Sequence, residues 1–274
     1  MTILVTGATG NIGRRVVDHL IDMGANDIRA LTKNPAKANL PDGVTPVIGY
    51  LGDPESLRAA LAGVDRMYLA PLPQTVDATL ELVKAAGVEY VVALSGSAHW
   101  QEHSDAVTVS GVVNTQLGPG EFLENFAMWS EAIKATHTVR EPYPDVVAAP
   151  ISMGDIARVA AALLVESDPS HYGQSYELTG PRALTRAQIA VQIGVGIGGD
   201  VTFEVCSRAE AESALQASMG GQAAWYLDLL EAGVSSPQQA NSLVAELTGT
   251  PAQSVAQWAA RNAELFVSAQ SSGL

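Results

Sequence analysis

Two hydrophobic periods alternate along the first half of the chain. Ile3-Leu4-Val5 is a short continuous apolar run; after a glycine-rich turn, Ile12, Val16, Val17, Leu20 and Ile21 recur at helical spacing. Further short apolar runs follow at Ile28 to Leu31, Val44 to Ile48, Met67 to Ala70 and Val88 to Leu94. Between them lie helical patterns. Asp53-Pro54-Glu55 reads as a helix start, with Asp as N-cap and Pro at the first position, continued by Leu57, Leu61 and Val64. Val76, Leu80 and Val83 form another stripe, which ends at Gly87. Largely apolar strands alternating with helices predict a parallel sheet covered on both faces. Right-handed crossovers then make it a doubly wound α/β sheet, with any ligand at the carboxyl ends of the strands.

Beyond residue 120 the pattern becomes mainly helical. Phe122 to Ala135 and Asp155 to Val165 read as helices, with a strand around Tyr176-Glu177-Leu178. Four capping-box patterns follow, at Thr185/Gln188, Ser207/Glu210, Ser236/Gln239 and Thr250/Gln253, and each predicts a helix start. Val255, Trp258, Ala259 and Phe266 are spaced to dock one face of a last helix. The glycine-rich stretch 194–199 lacks a Lys-Ser/Thr pair and follows a helix, so it reads as a terminating turn.

Composition narrows the function classes. The 274 residues carry a net charge of −14 and a single cysteine, Cys206. One cysteine excludes an internal disulfide framework and any multi-cysteine metal site. The acidic balance argues against a nucleic-acid face, which needs clustered Lys and Arg. No apolar stretch approaches the ~20 residues of a membrane span, and no basic region precedes Ile3. A soluble cytoplasmic protein is expected.

Thr6-Gly7-Ala8-Thr9-Gly10-Asn11-Ile12-Gly13 follows the first strand and opens the first helix, with spacing G-x-x-G-x-x-G. Gly7 permits the turn, Gly10 lets a diphosphate approach the backbone, and Gly13 lets the helix pack on the strand. The diphosphate would meet the free N–H groups and the positive helix end. Cofactor choice should be legible at the end of the second strand. There the chain has Thr32, Lys33 and Asn34, with no carboxylate to bind ribose hydroxyls. A lysine can pair with a 2′-phosphate, so NADP(H) is expected over NAD(H).

Several passages resemble the NmrA-like, atypical branch of the short-chain dehydrogenase/reductase superfamily. They are Ile3 to Gly13, Gly52 to Leu57, Leu94 to Ser97, Leu117 to Asn125, Gly154 to Ala157 and Tyr176 to Pro181. The resemblance implies a single unit over 1–274: a Rossmann-type dinucleotide-binding core over 1–120 and a smaller, mostly helical C-terminal substrate lobe over 121–274, with some segments returning to the sheet. It places Gly7, Thr9, Gly10, Asn11 and Ile12 on the diphosphate and Thr32 and Lys33 at the adenosine ribose. Tyr50-Leu51 falls where relatives usually have Asp-Leu near the adenine, so Tyr50 supplies no carboxylate, and its ring could stack or simply pack. Ala70, Pro71 and Leu72 are implied at the diphosphate–nicotinamide bridge. Pro119 and Gly120, with Glu121 and Phe122, are implied beside the nicotinamide and substrate.

Mainstream members use Tyr-x-x-x-Lys as proton donor, and none of the seven tyrosines here has that lysine. Ser95 matches the superfamily's active-site serine and can hydrogen-bond a carbonyl. His99-Trp100-Gln101-Glu102-His103 matches the inverted zinc-peptidase pattern H-x-x-E-H. It lacks an identifiable third ligand and sits in an unsuitable scaffold, so no metal is expected. His99 and His103 are instead candidate proton donors to the substrate, or else histidines on a helix surface. Trp100, Phe122 and Phe126 are candidate walls of an apolar substrate cleft, with core packing as the alternative. The expected function is an NAD(P)H-dependent reductase of a small carbonyl, quinone or similar apolar metabolite. A non-catalytic NAD(P) sensor that binds a protein partner, and an isomerase or cyclase, are the alternatives. A small-molecule substrate and a homodimer are the partners considered, with neither nucleic acid nor membrane.

Overall fold

The computed structural model describes residues 1–96, 100–166 and 168–267. The first elements are β1 (Thr2–Val5), α1 (Asn11–Asp22), β2 (Asp27–Thr32), β3 (Val44–Ile48), β4 (Arg66–Leu69), α2 (Val76–Ala85), β5 (Tyr90–Leu94), α3 (Gln101–Val109) and β6 (Asn114–Pro119). Then come α4 (Ser130–Thr136), β7 (Thr138–Glu141), β8 (Val147–Ala148), α5 (Met153–Val165), β9 (Ser175–Leu178), β10 (Leu184–Thr185) and α6 (Arg186–Ile197). The remainder is β11 (Thr202–Val205), α7 (Arg208–Met219), α8 (Ala223–Gly233), α9 (Leu243–Thr248) and α10 (Val255–Arg261).

These elements form two compact units. The first comprises Met1–Pro119, Met153–Leu178 and Leu243–Thr250. It contains a seven-stranded sheet in the order β3-β2-β1-β4-β5-β6-β9, parallel throughout. Every residue of β1, β4 and β5 is buried, as expected for central strands covered on both faces. The edge strand β3 carries exposed Thr45, Pro46 and Ile48, and a proline is tolerated there because it cannot donate to an interior ladder. Helix α1 packs against α5, whose alanines at 157, 160 and 161 are fully buried. The strand order reverses between β1 and β4, which puts their carboxyl ends at the topological switch point of a Rossmann-type sheet.

The expected helix behind Asp53 is only a single 3-10 turn, Pro54–Leu57, and Asp53 makes no side-chain cap. Ser56 explains the difference. Its hydroxyl donates to the Asp53 carbonyl at 2.6 Å and accepts from the Tyr50 N–H at 2.9 Å, so local turns displace the helix. Leu57, Leu61 and Val64 are still buried in the core beside Leu4, Met67 and Leu80.

The second unit comprises Gly120–Ser152, Thr179–Ser242 and the segment from Pro251 onward. Two small ladders brace it, β7 with β11 in parallel and β8 with β10 antiparallel. Its core gathers Leu123, Phe126, Trp129, Ile133, Ile189, Ile193, Trp258 and Phe266. The segment after Phe122 runs as a 3-10 stretch, Leu123–Trp129, before α4. Gly198, at φ 74, ends α6, but the turn expected over 194–199 is shorter than read, because Gly194 to Ile197 still belong to the helix.

Both capping boxes at Thr185/Gln188 and Ser207/Glu210 form. The two predicted at Ser236 and Thr250 do not. After Ser236 the chain forms no helix, its Gln238 N–H donating to the Val147 carbonyl and its Gln238 side chain accepting from the Ala149 N–H. Thr250 closes α9 through the Thr248 hydroxyl, and the box forms instead at Ser254/Gln257.

Candidate dinucleotide site

The glycine loop lies at the carboxyl end of β1, at the switch point. Gly7 adopts φ 60, which an L side chain rarely tolerates. Its carbonyl accepts the Gly10 N–H at 2.8 Å, closing the turn. A Cβ on Gly13 would sit 2.2 Å from that same carbonyl oxygen, so only glycine lets α1 start this close to β1. Gly10 is the N-cap and supplies no side-chain cap, so among the described residues no capping side chain occupies the first-turn N–H groups of this 12-residue helix. Gly7, Thr9, Gly10 and Asn11 are exposed around that cradle, whereas Ala8 and Ile12 are buried beneath it. The cradle therefore fits a diphosphate. Thr6 fastens it: its hydroxyl donates to the Tyr68 carbonyl at 2.9 Å and accepts from the Ala70 N–H at 2.8 Å, tying β1 to the loop after β4. Sequence reading missed this role, which depends on a partner 62 residues away.

The next strand end is basic. Thr32 is buried and its hydroxyl accepts from the Asn34 N–H at 3.2 Å, leaving Lys33 and Asn34 exposed. The Lys33 ammonium lies over the Tyr50 ring, 4.3 Å from its centroid. Arg14 on α1 donates to the carbonyl of Asn39 at 2.6 Å, which fixes the loop beyond Asn34. Lys33 and Lys37 thus present positive charge on this edge of a strongly acidic chain, while Arg14 pairs with Asp18 at 3.5 Å. Leu51, expected at the cofactor, has its side chain in the hydrophobic core, and its carbonyl accepts from the Thr75 hydroxyl at 2.7 Å.

At the ends of β4 and β5, Ala70, Pro71 and Leu72 are half-buried. A Cβ on Gly7 would come 3.0 Å from the Ala70 Cβ, so the two loops border one crevice. Ser95 holds the end of β5 through its N–H to Leu117 at 2.8 Å. Its hydroxyl is buried and finds no partner among the described residues, a polar atom left over for a ligand. Half-buried Trp100 lies against Gly96, where a Cβ would be 2.7 Å from the indole. His99 lies outside the described residues.

His103 on α3 is fully buried, which corrects the surface alternative. Neither ring nitrogen finds a partner among the described residues, and burial pushes its pKa down to about 4. At neutral pH the ring is uncharged, so it is poorly suited to deliver a proton as imidazolium. Glu102 beside it is exposed, and the described residues contain no group of three or more potential metal ligands.

The remaining candidates divide at a unit boundary. Pro119 ends β6 in the first unit, and Gly120 opens the second. Within the second unit, a Cβ on Gly120 would meet the Gln238 amide. Phe122 bridges to Ile151 and is half-buried. Phe126 is fully buried beneath Arg186, whose guanidinium carbon is 5.0 Å from the ring centroid. Phe126 therefore belongs to the core instead of lining an open cleft. Glu121 accepts from Arg186 at 2.9 Å. Arg186 is itself fully buried and bidentate on Glu141, and also donates to the Tyr226 hydroxyl. Burial opposes its charge, but Glu121 and Glu141 outweigh that penalty and keep the guanidinium protonated. Nothing in the sequence singled out Arg186, because its partners lie 40 to 65 residues away.

Comparison with known proteins agrees with the geometry. The model of an NAD(P)H-binding family matches residues 7–114, which run from the glycine loop through β2, β3, β4 and β5 to the first residue of β6. A (4-alkanoyl-5-oxo-2,5-dihydrofuran-3-yl)methyl phosphate reductase of Streptomyces griseus is 32% identical, covering 96% of this chain and 99% of its own length. The chain belongs to the NmrA-like family of atypical short-chain dehydrogenases/reductases. An NAD(P)H azoreductase of Xenophilus azovorans is likewise 32% identical, over 96% of this chain and 99% of that relative. The structure of an Escherichia coli NADPH-dependent quinone oxidoreductase complexed with NADPH aligns with TM-score 0.83 and 26% identity, over 95% of this chain and 99% of that one. The NmrA-like chain is thus an NAD(P)H-dependent oxidoreductase by class. No helix among its described residues is long and apolar enough to cross a membrane.

Proposed function

We propose that this NmrA-like protein uses NADPH in preference to NADH to reduce a small carbonyl, quinone or similar apolar acceptor. The observation that carries the reading is the glycine cradle at the switch point, Gly7 to Gly13, whose N-cap supplies no side chain, beside a strand end that offers Lys33 and no carboxylate. Reductase relatives aligned over nearly their whole length support the reaction class. Bound NADPH supplies the hydride. The chain's own part is to hold and shield. First-turn N–H groups of α1 bind the diphosphate, and Lys33 pairs with the 2′-phosphate. The Ser95 hydroxyl, buried and without a partner among the described residues, donates a hydrogen bond to the acceptor oxygen as negative charge develops there. Without Tyr-x-x-x-Lys, acceptors whose reduced oxygen is intrinsically stabilised, such as quinones, suit this arrangement.

The test is to titrate NADPH and NADH separately, then screen quinones, unsaturated ketones and azo compounds for loss of nicotinamide absorbance. Turnover with NADPH, lost selectively in kcat for Ser95→Ala, is the expected result. Equal affinity for the two cofactors overturns the NADPH preference. Tight binding of both cofactor forms with no acceptor turned over replaces the enzyme reading with the sensor.

A further inference from the structure

The loop after β3 opens with Gly49 and then Tyr50-Leu51, with an aromatic ring and no carboxylate beside the strand end. β2 and β3 run parallel with Thr32 opposite Ile48, so residues just past their carboxyl ends are neighbours although 17 positions apart in sequence. Lys33 and Tyr50 meet there, with the ammonium 4.3 Å from the ring centroid. Such a cation–π contact holds a lysine without neutralising it, unlike a carboxylate. A carboxylate at position 50 would pair with Lys33 and repel a 2′-phosphate as well. The tyrosine ring does neither.

The backbone that carries the ring is itself fixed. The Tyr50 N–H is bonded to the Ser56 hydroxyl at 2.9 Å, and its carbonyl accepts the Asp53 N–H at 2.9 Å. Gly52 leaves room for the ring: a Cβ there would lie 2.4 Å from Tyr50 Cε1. Yet Tyr50 remains 45% exposed, so it is not needed to fill the core. A half-exposed aromatic, seated on a glycine and facing the one lysine expected at the ribose, is a built arrangement.

We propose that Tyr50 is a specificity-determining positioning residue that holds the Lys33 ammonium, still charged, for the 2′-phosphate of NADPH. The inference rests on the NADPH reading above and adds the device that enforces it. Lys33 touches the cofactor; Tyr50 acts through Lys33. Preorganising a flexible lysine lowers the ordering cost of its ion pair, so losing the ring should weaken NADPH and leave NADH unaffected.

The experiment measures Kd for NADPH and NADH by nicotinamide fluorescence in wild type, Tyr50→Leu, Tyr50→Phe, Tyr50→Asp and Gly52→Ala. Tyr50→Leu should raise the NADPH Kd about 3- to 5-fold, the size of an exposed cation–π contact, with NADH unchanged. Tyr50→Phe should restore the wild-type ratio, because the ring face and not the hydroxyl holds the ammonium. Gly52→Ala should act like Tyr50→Leu by displacing the ring, and Tyr50→Asp should move the preference furthest towards NADH. In a Lys33→Ala background, Tyr50→Leu should have no further effect. An NADPH Kd that Tyr50→Leu leaves unchanged overturns the role of Tyr50 and leaves the NADPH reading standing. Equal wild-type affinities overturn the reading on which it rests. Parallel weakening of both cofactors in Tyr50→Leu and Tyr50→Phe makes Tyr50 a structural residue only.

Discussion

Replacing Arg186 by methionine tests the energetics of the second unit most directly. Methionine keeps an unbranched apolar stem but removes the guanidinium, and with it the bidentate bonds to Glu141 at 2.9 and 3.0 Å and the bond to Glu121 at 2.9 Å. The contacts over Phe126 and Trp129, at 5.0 and 4.7 Å from the ring centroids, are lost too. Glu141 keeps hydrogen bonds from Trp129 Nε1 at 2.8 Å and the Tyr226 hydroxyl at 3.0 Å but has no countercharge, and its side chain is only 5% exposed. Breaking a buried pair by removing one partner costs about 3–5 kcal/mol. At about 2.1 cal/mol/K of unfolding entropy per residue, a chain of this length has roughly 0.6 kcal/mol/K, so Tm should fall by about 5–9 °C. Melting followed by far-UV circular dichroism reads the shift. Arg186→Met/Glu141→Gln should recover part of the loss, because the stranded charge is gone. The glycine cradle and Lys33 belong to the other unit, so NADPH affinity well below the transition should change by less than about twofold. A Tm within about 2 °C of wild type, or a double variant no better than the single one, would refute the buried-charge argument.

Lys33→Glu should weaken NADPH by at least about tenfold in Kd while changing NADH by less than about twofold, and the NADPH term should shrink as salt is raised. Gly13→Ala places a Cβ 2.2 Å from a backbone oxygen, so it should cost about 1–3 kcal/mol in denaturant unfolding and abolish tight cofactor binding. His103 has a folded-state pKa lowered to about 4 from an ordinary 6.5, so the unfolded chain takes up its proton first as pH falls. The His103 contribution should therefore lower stability as pH drops from 6.5 towards 4 and stay constant below, with no pH dependence from this group above 6.5. His103→Leu should flatten that decline and be no less stable at pH 7.5; an unchanged pH profile in urea unfolding would defeat the reasoning.

The sheet and the glycine loop were legible in the sequence because both depend on local rules. Buried parallel strands read as apolar runs, and the turn at Gly7 admits few other residues. Where local rules compete, reading failed. Asp53-Pro54 promised a helix, but the Ser56 hydroxyl claims the backbone first. Ser236 and Thr250 have the capping pattern, yet the neighbouring groups pair elsewhere, and a box appears at Ser254 that the pattern search passed over. Side-chain pairings between distant segments are the least legible. Tyr50 and Lys33 become neighbours only once β2 and β3 pair, and Arg186 acquires its carboxylates only through folding of distant segments. Phe126 illustrates the same limit, since nothing local distinguishes a cleft aromatic from a core one.

The chain passes between its two units at 119/120, 152/153, 178/179, 242/243 and 250/251. No single cut therefore releases either unit intact, and no contiguous fragment encodes one. During synthesis the large sheet cannot acquire its last strand, β9, until the whole 120–152 excursion has emerged. An unfinished β6 edge must wait through that interval, open to pairing with other chains. For anyone dissecting or fusing this protein, the useful seams are the surface loops within a unit, and truncation at residue 120 should give an aggregating stub in place of a working cofactor domain.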